Sequence, residues 1–178
     1  MAIVQIQLIV DGLTAHGSAS VNKSHASTGE GVSVSTSPYT GYYTSRVYTI
    51  PGSTVSGSGT SWSFAVPSTA TSKVEVHVVF DKVNYAIVKT VLPANSGSIS
   101  GASTATYGDS VTLTPSPASG YQFSSWSSSD VTFSGNTFTM PAKDVGVIAN
   151  FTKKSFAIAV QSANTTMGTV TGGGTYQF

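Results

Sequence analysis

The side chains that could bind a metal ion or transfer a proton are few and scattered. The chain has three histidines, His16, His25 and His77, and no cysteine. His77 alternates out of phase with the apolar residues on either side of it, so we expect it to face solvent or a neighbour, with Glu75 and Asp81 as nearby partners. A zinc site needs three or four protein ligands. This spacing therefore favours a loose ion pair over metal binding.

Three aspartates, Asp109, Asp130 and Asp144, recur beside predicted turns. Their spacing does not fit a calcium-binding loop, whereas Asp side chains commonly accept hydrogen bonds from the backbone of turns. The serines form no Gly-x-Ser-x-Gly nucleophile motif, and the glycines at 172–174 are not followed by the Lys-Ser/Thr of a phosphate loop. The sequence predicts no catalytic residue, no metal ligand and no cofactor, and hence a protein that is not an enzyme.

The composition excludes further classes of function and indicates the fold class. Only 8% of the 178 residues are charged and the net charge is +1, so a basic surface for nucleic acid is not expected. No apolar run approaches the roughly 18 residues of a membrane-spanning helix. Ser and Thr alternate with Val and Ile at a period of two, which favours strands. We predict an all-β fold of tandem β-sandwich or β-grasp-like modules, each of about 70–80 residues.

An internal repeat organises these strands. Residues 29–35 align with residues 108–114 at an offset of 79, and the offset falls to 71 at Phe80 and Phe151. The change predicts five extra loop residues in the first copy and three more before its last strand ends. Self-similarity at a fixed period is the signature of repeated structural modules.

A third copy begins near the end of the sequence, where residues 85–87 return as residues 156–158 at an offset of 71. This last segment supplies at most one strand pair, which is marginal alone. We expect the natural chain to continue, or these strands to complete a sheet in the second module or in a neighbouring subunit. The predicted modules are residues 1–82, residues 83–153 and an incomplete copy at residues 154–178.

Two motifs of the second copy are specific. Residues 120–126 read Gly-Tyr-Gln-Phe-Ser-Ser-Trp, and residues 138–145 read Phe-Thr-Met-Pro-Ala-Lys-Asp-Val. This combination resembles the divergent internalin-B-type B-repeat, and the first copy departs from it at Thr44 and Val47, which stand where the second copy has Phe and Trp. The resemblance implies a small β-rich module found in tandem on bacterial surface proteins and in phage-encoded proteins, used as a stalk or adhesion unit without catalytic residues.

Large side chains are available to form the cores and one surface. The expected core residues are Tyr42, Trp62, Phe64, Tyr121, Phe123, Trp126, Phe138, Met140 and Phe151. The first copy also has Tyr39, Tyr43 and Tyr48 without counterparts, and Arg46 lies among them. Tyr and Arg are enriched at protein interfaces, and aromatic faces also stack on sugars. This segment is therefore a repacked core, a protein interface or a glycan site.

The N-terminus, from Met1 to Asp11, lacks a basic region and is a poor signal peptide. We therefore expect a chain that folds where it is made. A non-enzymatic structural protein of a bacteriophage virion, assembled in the host cytoplasm, reconciles this with a surface repeat. It would be a capsid decoration or fibre protein, with other virion proteins, copies of itself or a surface glycan as partners. The alternatives are a bacterial cell-surface stalk or adhesin fragment and a carbohydrate-binding accessory module.

Overall fold

A computed structural model describes residues 2–12, 15–163 and 166–177. Met1 and Phe178, the outer ends of the first and third predicted modules, lie outside the described residues. Within those ranges the chain forms strands and no helix, which confirms the all-β prediction. The same ranges accordingly hold no helix that could cross a membrane.

The strands divide between two compact units, residues 1–84 and residues 85–178. The first unit contains β1 (Ile3–Val10), β2 (Gly17–Val21), β3 (His25–Ser27), β4 (Gly31–Pro38), β5 (Tyr42–Ile50), β6 (Val55–Ser58), β7 (Ser61–Ala65) and β8 (Lys73–Lys82). The second contains β9 (Asn84–Leu92), β10 (Gly97–Gly101), β11 (Thr104–Thr106), β12 (Ser110–Pro117), β13 (Tyr121–Ser127), β14 (Thr137–Thr139), β15 (Val145–Lys153), β16 (Ser155–Ile158) and β17 (Gly174–Gln177).

The first unit is built from two four-stranded sheets, with the orders β3-β1-β8-β5 and β2-β4-β7-β6. Its first and last strands, β1 and β8, lie side by side and parallel, while the other pairs are antiparallel. Alternation along β8 places Val74, Val76 and Val78 on one fully buried face. They share a core with Val32 and Val34 of the other sheet. The core therefore lies between two sheets, consistent with the β-sandwich alternative.

The second unit repeats this plan, with sheets of order β11-β9-β15-β13 and β10-β12-β14. The first and last strands of these two sheets, β9 and β15, are again parallel, and β16 and β17 form a separate two-stranded sheet. The register aligns Val145 with Ile87, as the first unit aligns Val74 with Ile6. Val145 and Ile87 share a core with Leu113 of the facing sheet. The sequence repeat is thus a repeat of strand order and register.

The interval that holds the five extra residues of the first copy contains an edge strand as well as loops. This strand, β6, has four residues and pairs with β7 at the edge of its sheet, where the second unit has an isolated bridge between Ser134 and Thr137. All of β6 after Val55 is exposed. An exposed edge strand of Ser and Gly carries no apolar alternation, so nothing in its sequence pattern distinguishes it from a loop.

The predicted core side chains occupy buried and half-buried positions. At most 4% of the residue is exposed at Phe64, Phe138, Met140 and Phe151. Trp62 and Trp126 are partly buried against the cores of their own units. The half-buried members of the predicted set are Tyr42, Tyr121 and Phe123. Each unit therefore has one of the two tryptophans, Trp62 from the β7 side and Trp126 from the β13 side.

The two cores are filled differently at one equivalent position. Thr44 lies opposite Phe80 in register, as Phe123 lies opposite Phe151. In the first unit, Thr44 Oγ1 and Thr36 Oγ1 form a buried hydrogen bond of 2.7 Å. In the second unit, the Phe123 ring meets the Phe151 ring edge-on, with centroids 5.8 Å apart. The first unit thus has a hydrogen-bonded pair of hydroxyls where the second unit has an aromatic contact. The hydrogen bond gives each buried hydroxyl the partner that it needs.

Candidate functional site

The face of the sheet β3-β1-β8-β5 that points away from the core carries most of the predicted interface residues. Val47 of β5 is buried in the core, so Arg46 and Tyr48 on either side of it point outward. A β-bulge after Thr44 shifts the register and keeps Tyr43 on that same outward face. We call this surface the outward face of the first unit.

Tyr39 lies apart from the outward face. It is 57% exposed and sits in the turn between β4 and β5, where its backbone N–H donates to the carbonyl oxygen of His16 at 2.9 Å. The structure thus brings Tyr43, Arg46 and Tyr48 onto one surface and leaves Tyr39 at the strand end.

Asp11, which follows the last residue of β1, links outward side chains from β5 and β8. The Tyr48 hydroxyl donates to Asp11 Oδ2 at 3.0 Å, and Asp11 Oδ1 lies 2.9 Å from His77 Nδ1. The Tyr48 and His77 rings stack with centroids 4.6 Å apart. The guanidinium carbon of Arg46 lies 4.5 Å from the centroid of the Tyr48 ring, a cation–π contact. These contacts hold the four side chains in defined orientations.

His77 faces away from the core, as the alternation predicts, but its hydrogen-bonding partner is Asp11 rather than Asp81. The parallel pairing of β1 with β8 brings Asp11 beside it from 66 residues earlier in the chain. The predicted partner Glu75 is also near, with Oε2 at 3.5 Å from His77 Nε2, which is too long for a strong hydrogen bond. The Lys73 ammonium, 2.6 Å from the other oxygen, is the main cause that lowers the pKa of Glu75.

The hydrogen bond to Asp11 raises the pKa of Tyr48 above its ordinary value of 10.0, with smaller contributions from burial and from the carboxylate charge. The phenol must keep its proton to donate this bond. Its contribution to stability is therefore complete below pH 10.0 and is lost as the pH rises through the raised pKa.

An alkaline absorbance titration of the phenols tests this hydrogen bond. We expect the Tyr48 phenol to ionise with a pKa above its ordinary value of 10.0, and Tyr48→Phe to remove its step from the titration. Asp11→Asn should move the step to lower pH, because the amide keeps an acceptor but loses the negative charge. An alkaline titration that Tyr48→Phe leaves unchanged would contradict the assignment.

The three aspartates accept hydrogen bonds from the backbone, Asp109 within its own turn and Asp130 and Asp144 from residues distant in the sequence. Asp144 Oδ1 accepts from the N–H of Ala86 at 2.8 Å, and Asp130 Oδ2 accepts from that of Gly146 at 2.9 Å. Asp109 accepts from a backbone N–H three residues earlier at 3.3 Å. In the part of the chain that the structure describes, no group of three His, Asp or Glu side chains could hold a metal ion, and no pocket is present.

The equivalent face of the second unit carries smaller, uncharged side chains. The register pairs Tyr43–Asp81, Arg46–Val79 and Tyr48–His77 of the first unit correspond to Gln122–Thr152, Ser125–Asn150 and Ser127–Ile148 of the second. Asn150 Nδ2 donates to Ser127 Oγ at 3.0 Å. At these positions the same scaffold therefore presents aromatic and charged groups in the first unit and uncharged polar or aliphatic groups in the second.

The shared strand order defines a repeated all-β module. The second copy of this module also matches a known family of repeats. Residues 87–155 match the divergent InlB B-repeat domain, a repeat of bacterial surface proteins. The match runs from within β9 to the first residue of β16 and confirms the resemblance carried by the two motifs of the second copy. Comparisons with curated proteins and with solved structures gave no match.

Proposed function

We propose that the chain is a non-enzymatic structural protein of a surface assembly, and that its first unit docks through its outward face. The observation that supports this is the contrast between equivalent positions of the two units. The second unit keeps the same register with Ser125 and Ser127 where the first has Arg46 and Tyr48. The fold therefore does not require the larger side chains, and another role accounts for them.

The chemistry of the outward face suits a protein partner. Tyr43 is 48% exposed and Ile50 is 51% exposed, so apolar surface lies beside the charge of Arg46. Tyrosine and arginine are the residue types that contribute most at protein interfaces. Asp11 already holds Tyr48 and His77 in place, so binding loses less side-chain entropy than it would with free rotamers.

We place this assembly on a bacteriophage particle, as a capsid decoration or fibre protein whose partners are virion proteins or copies of the chain. A chain with 8% charged residues and a net charge of +1 suits close packing of copies, because self-repulsion is small. The bacterial cell surface is the alternative setting. The match of residues 87–155 to a repeat of bacterial surface proteins favours that alternative.

Quantitative mass spectrometry of purified phage particles and of cell envelopes tests the proposal. We expect the chain in particles, at a fixed ratio to the major capsid or tail protein. Recovery in the cell envelope alone would show that the assembly lies on the bacterial surface and not on the phage particle. Recovery in neither fraction would reject a structural role in either assembly.

The docking role predicts a specific loss of assembly. The double variant Arg46→Ser with Tyr48→Ser gives the first unit the serines that the second has at these positions. We expect it to weaken incorporation by about tenfold or more, the effect of losing one or two central interface residues. The matched control, Ser125→Ala with Ser127→Ala, should assemble normally. Equal incorporation of the two double variants would reject the outward face as the docking surface.

A further inference from the structure

Asp81 differs from the other acidic residues of the chain. The sequence has seven Asp and Glu residues, and six of them accept hydrogen bonds in the structure: Asp11, Glu30, Glu75, Asp109, Asp130 and Asp144. The carboxylate of Asp81 forms no hydrogen bond and no ion pair with any described residue. Asp81 follows the buried Phe80 in β8, so its exposed side chain points to the outward face of the first unit.

Arg46 is an exposed cation on the same face. It forms no ion pair with any described residue, although Arg46 and Asp81 lie on paired strands. The register sets Arg46 opposite Val79 and Asp81 opposite Tyr43, so the two charges are two residues apart along the sheet. The Tyr48 ring, on which the Arg46 guanidinium stacks, lies on the other side of Arg46 from Asp81. The cation–π contact therefore holds the guanidinium away from Asp81.

The scaffold requires neither charge. The register makes Ser125 the counterpart of Arg46 and Thr152 the counterpart of Asp81, and both of these residues are uncharged. Either charge alone would be an ordinary solvated side chain. Their joint appearance in the first copy, on one face and without a partner among the described residues, favours a common role outside the chain.

A second copy of the chain supplies the partner of each charge. In a symmetric dimer one surface patch meets itself, so that residue i contacts residue j and residue j contacts residue i. A two-fold axis that lies in the interface midway between Arg46 and Asp81 exchanges the two positions. Each guanidinium then faces the carboxylate of the other copy, a pairing that allows two parallel hydrogen bonds. Tyr43, which lies opposite Asp81 in register and is 48% exposed, adds apolar surface beside the two ion pairs.

We propose that the outward face of the first unit docks on the same face of a second copy, with Arg46 of each copy paired to Asp81 of the other. The inference rests on the docking role proposed for this face and names its partner. The two sheets pack face to face, and the two ion pairs fix their orientation. Complementary charges at an interface select the partner and exclude others, because like charges placed opposite each other are strongly unfavourable.

Sedimentation velocity over a range of protein concentrations tests this pairing by exchange of charges. We expect the unaltered chain to dimerise, and Arg46→Asp or Asp81→Arg alone to weaken dimerisation by at least about tenfold, since each sets like charges opposite each other at two places. An equimolar mixture of these two variants should associate again, because one then presents two acids and the other two arginines. The matched control is Lys153→Asp, a charge reversal at an exposed residue of the second unit, which should dimerise as the unaltered chain does. Circular dichroism checks that every variant remains folded.

Disulfide formation gives an independent test, because the chain has no cysteine of its own. Under mild oxidation, a mixture of Arg46→Cys and Asp81→Cys chains should form linked dimers faster than either variant alone. An unaltered chain that stays monomeric would overturn the proposal. So would dimerisation that the single charge variants leave intact, or a mixture that associates no better than its components. The docking role itself is judged separately, from the incorporation of the Arg46→Ser with Tyr48→Ser variant.

Discussion

Phe151→Ala is expected to lower the free energy of unfolding of the second unit by about 3–5 kcal/mol. The side chain is 4% exposed, and its ring packs between Gly97 and Phe123. Truncation leaves a cavity beside Gly97, which has no side chain to fill it. Since small domains have only about 5–15 kcal/mol of stability in total, this single change should leave much of the second unit unfolded under mild conditions.

Urea unfolding followed by the fluorescence of Trp126 measures this loss, in a Trp62→Phe background so that one tryptophan reports. The matched control is Phe156→Ala, the same substitution at a residue that is 53% exposed. It should change the free energy of unfolding by no more than about 0.5 kcal/mol. Equal effects of the two substitutions would show that Phe151 is not the buried anchor of its unit.

Gly97→Ala is expected to destabilise the second unit by about 1–3 kcal/mol, the usual cost of an overpacked core. The added Cβ would lie 2.6 Å from the carbonyl oxygen of Ser116 and 2.7 Å from the Phe151 ring. Neither neighbour can move freely, because Ser116 belongs to the β10–β12 ladder and Phe151 is buried. Gly17→Ala in the first unit should cost less, since its Cβ would approach the Phe80 ring without a backbone contact.

Gly31→Ala serves as the control for this prediction. Gly31 also lies in a strand, but no described atom lies within 4 Å of its Cβ position. The substitution should be neutral or stabilising by up to about 1 kcal/mol, because alanine restricts the unfolded chain. Thermal unfolding of both variants gives the comparison. A Gly97→Ala variant as stable as Gly31→Ala would contradict the packing of the terminal phenylalanine against the glycine.

The repeat in the sequence predicts much of the fold, because register is conveyed by local alternation and by offset. The offset of 71 identifies Phe80 and Phe151 as equivalent residues. In the structure both pair with the same repeat position of the neighbouring strand, which is Thr44 in the first unit and Phe123 in the second. Alternation alone assigns Val76 to the core and His77 to the opposite face, since successive side chains of a strand point to opposite sides. These properties depend on residues that are close together in the sequence or related by the repeat.

The pairing of distant strands is not contained in such local patterns. The parallel contact of β1 with β8 brings Asp11 to His77, and no spacing within either strand predicts it. The repeat nevertheless holds a signal. Strand register makes Leu92 the counterpart of Asp11 and Ile148 the counterpart of His77. Both positions are apolar in the second copy and ionisable in the first. This joint change is a signal in the sequence that Asp11 and His77 form a pair.

Hydroxyl-radical footprinting of the protein, free and in the isolated assembly, tests the docking role of the outward face most directly. Tyr43 and Ile50 are about half exposed in the free chain, and we predict that both become strongly protected in the assembly. Leu92 and Val88, on the equivalent face of the second unit and 47% and 61% exposed, should keep their reactivity. Unchanged oxidation of Tyr43 and Ile50, with protection of Leu92 and Val88 instead, would contradict the account.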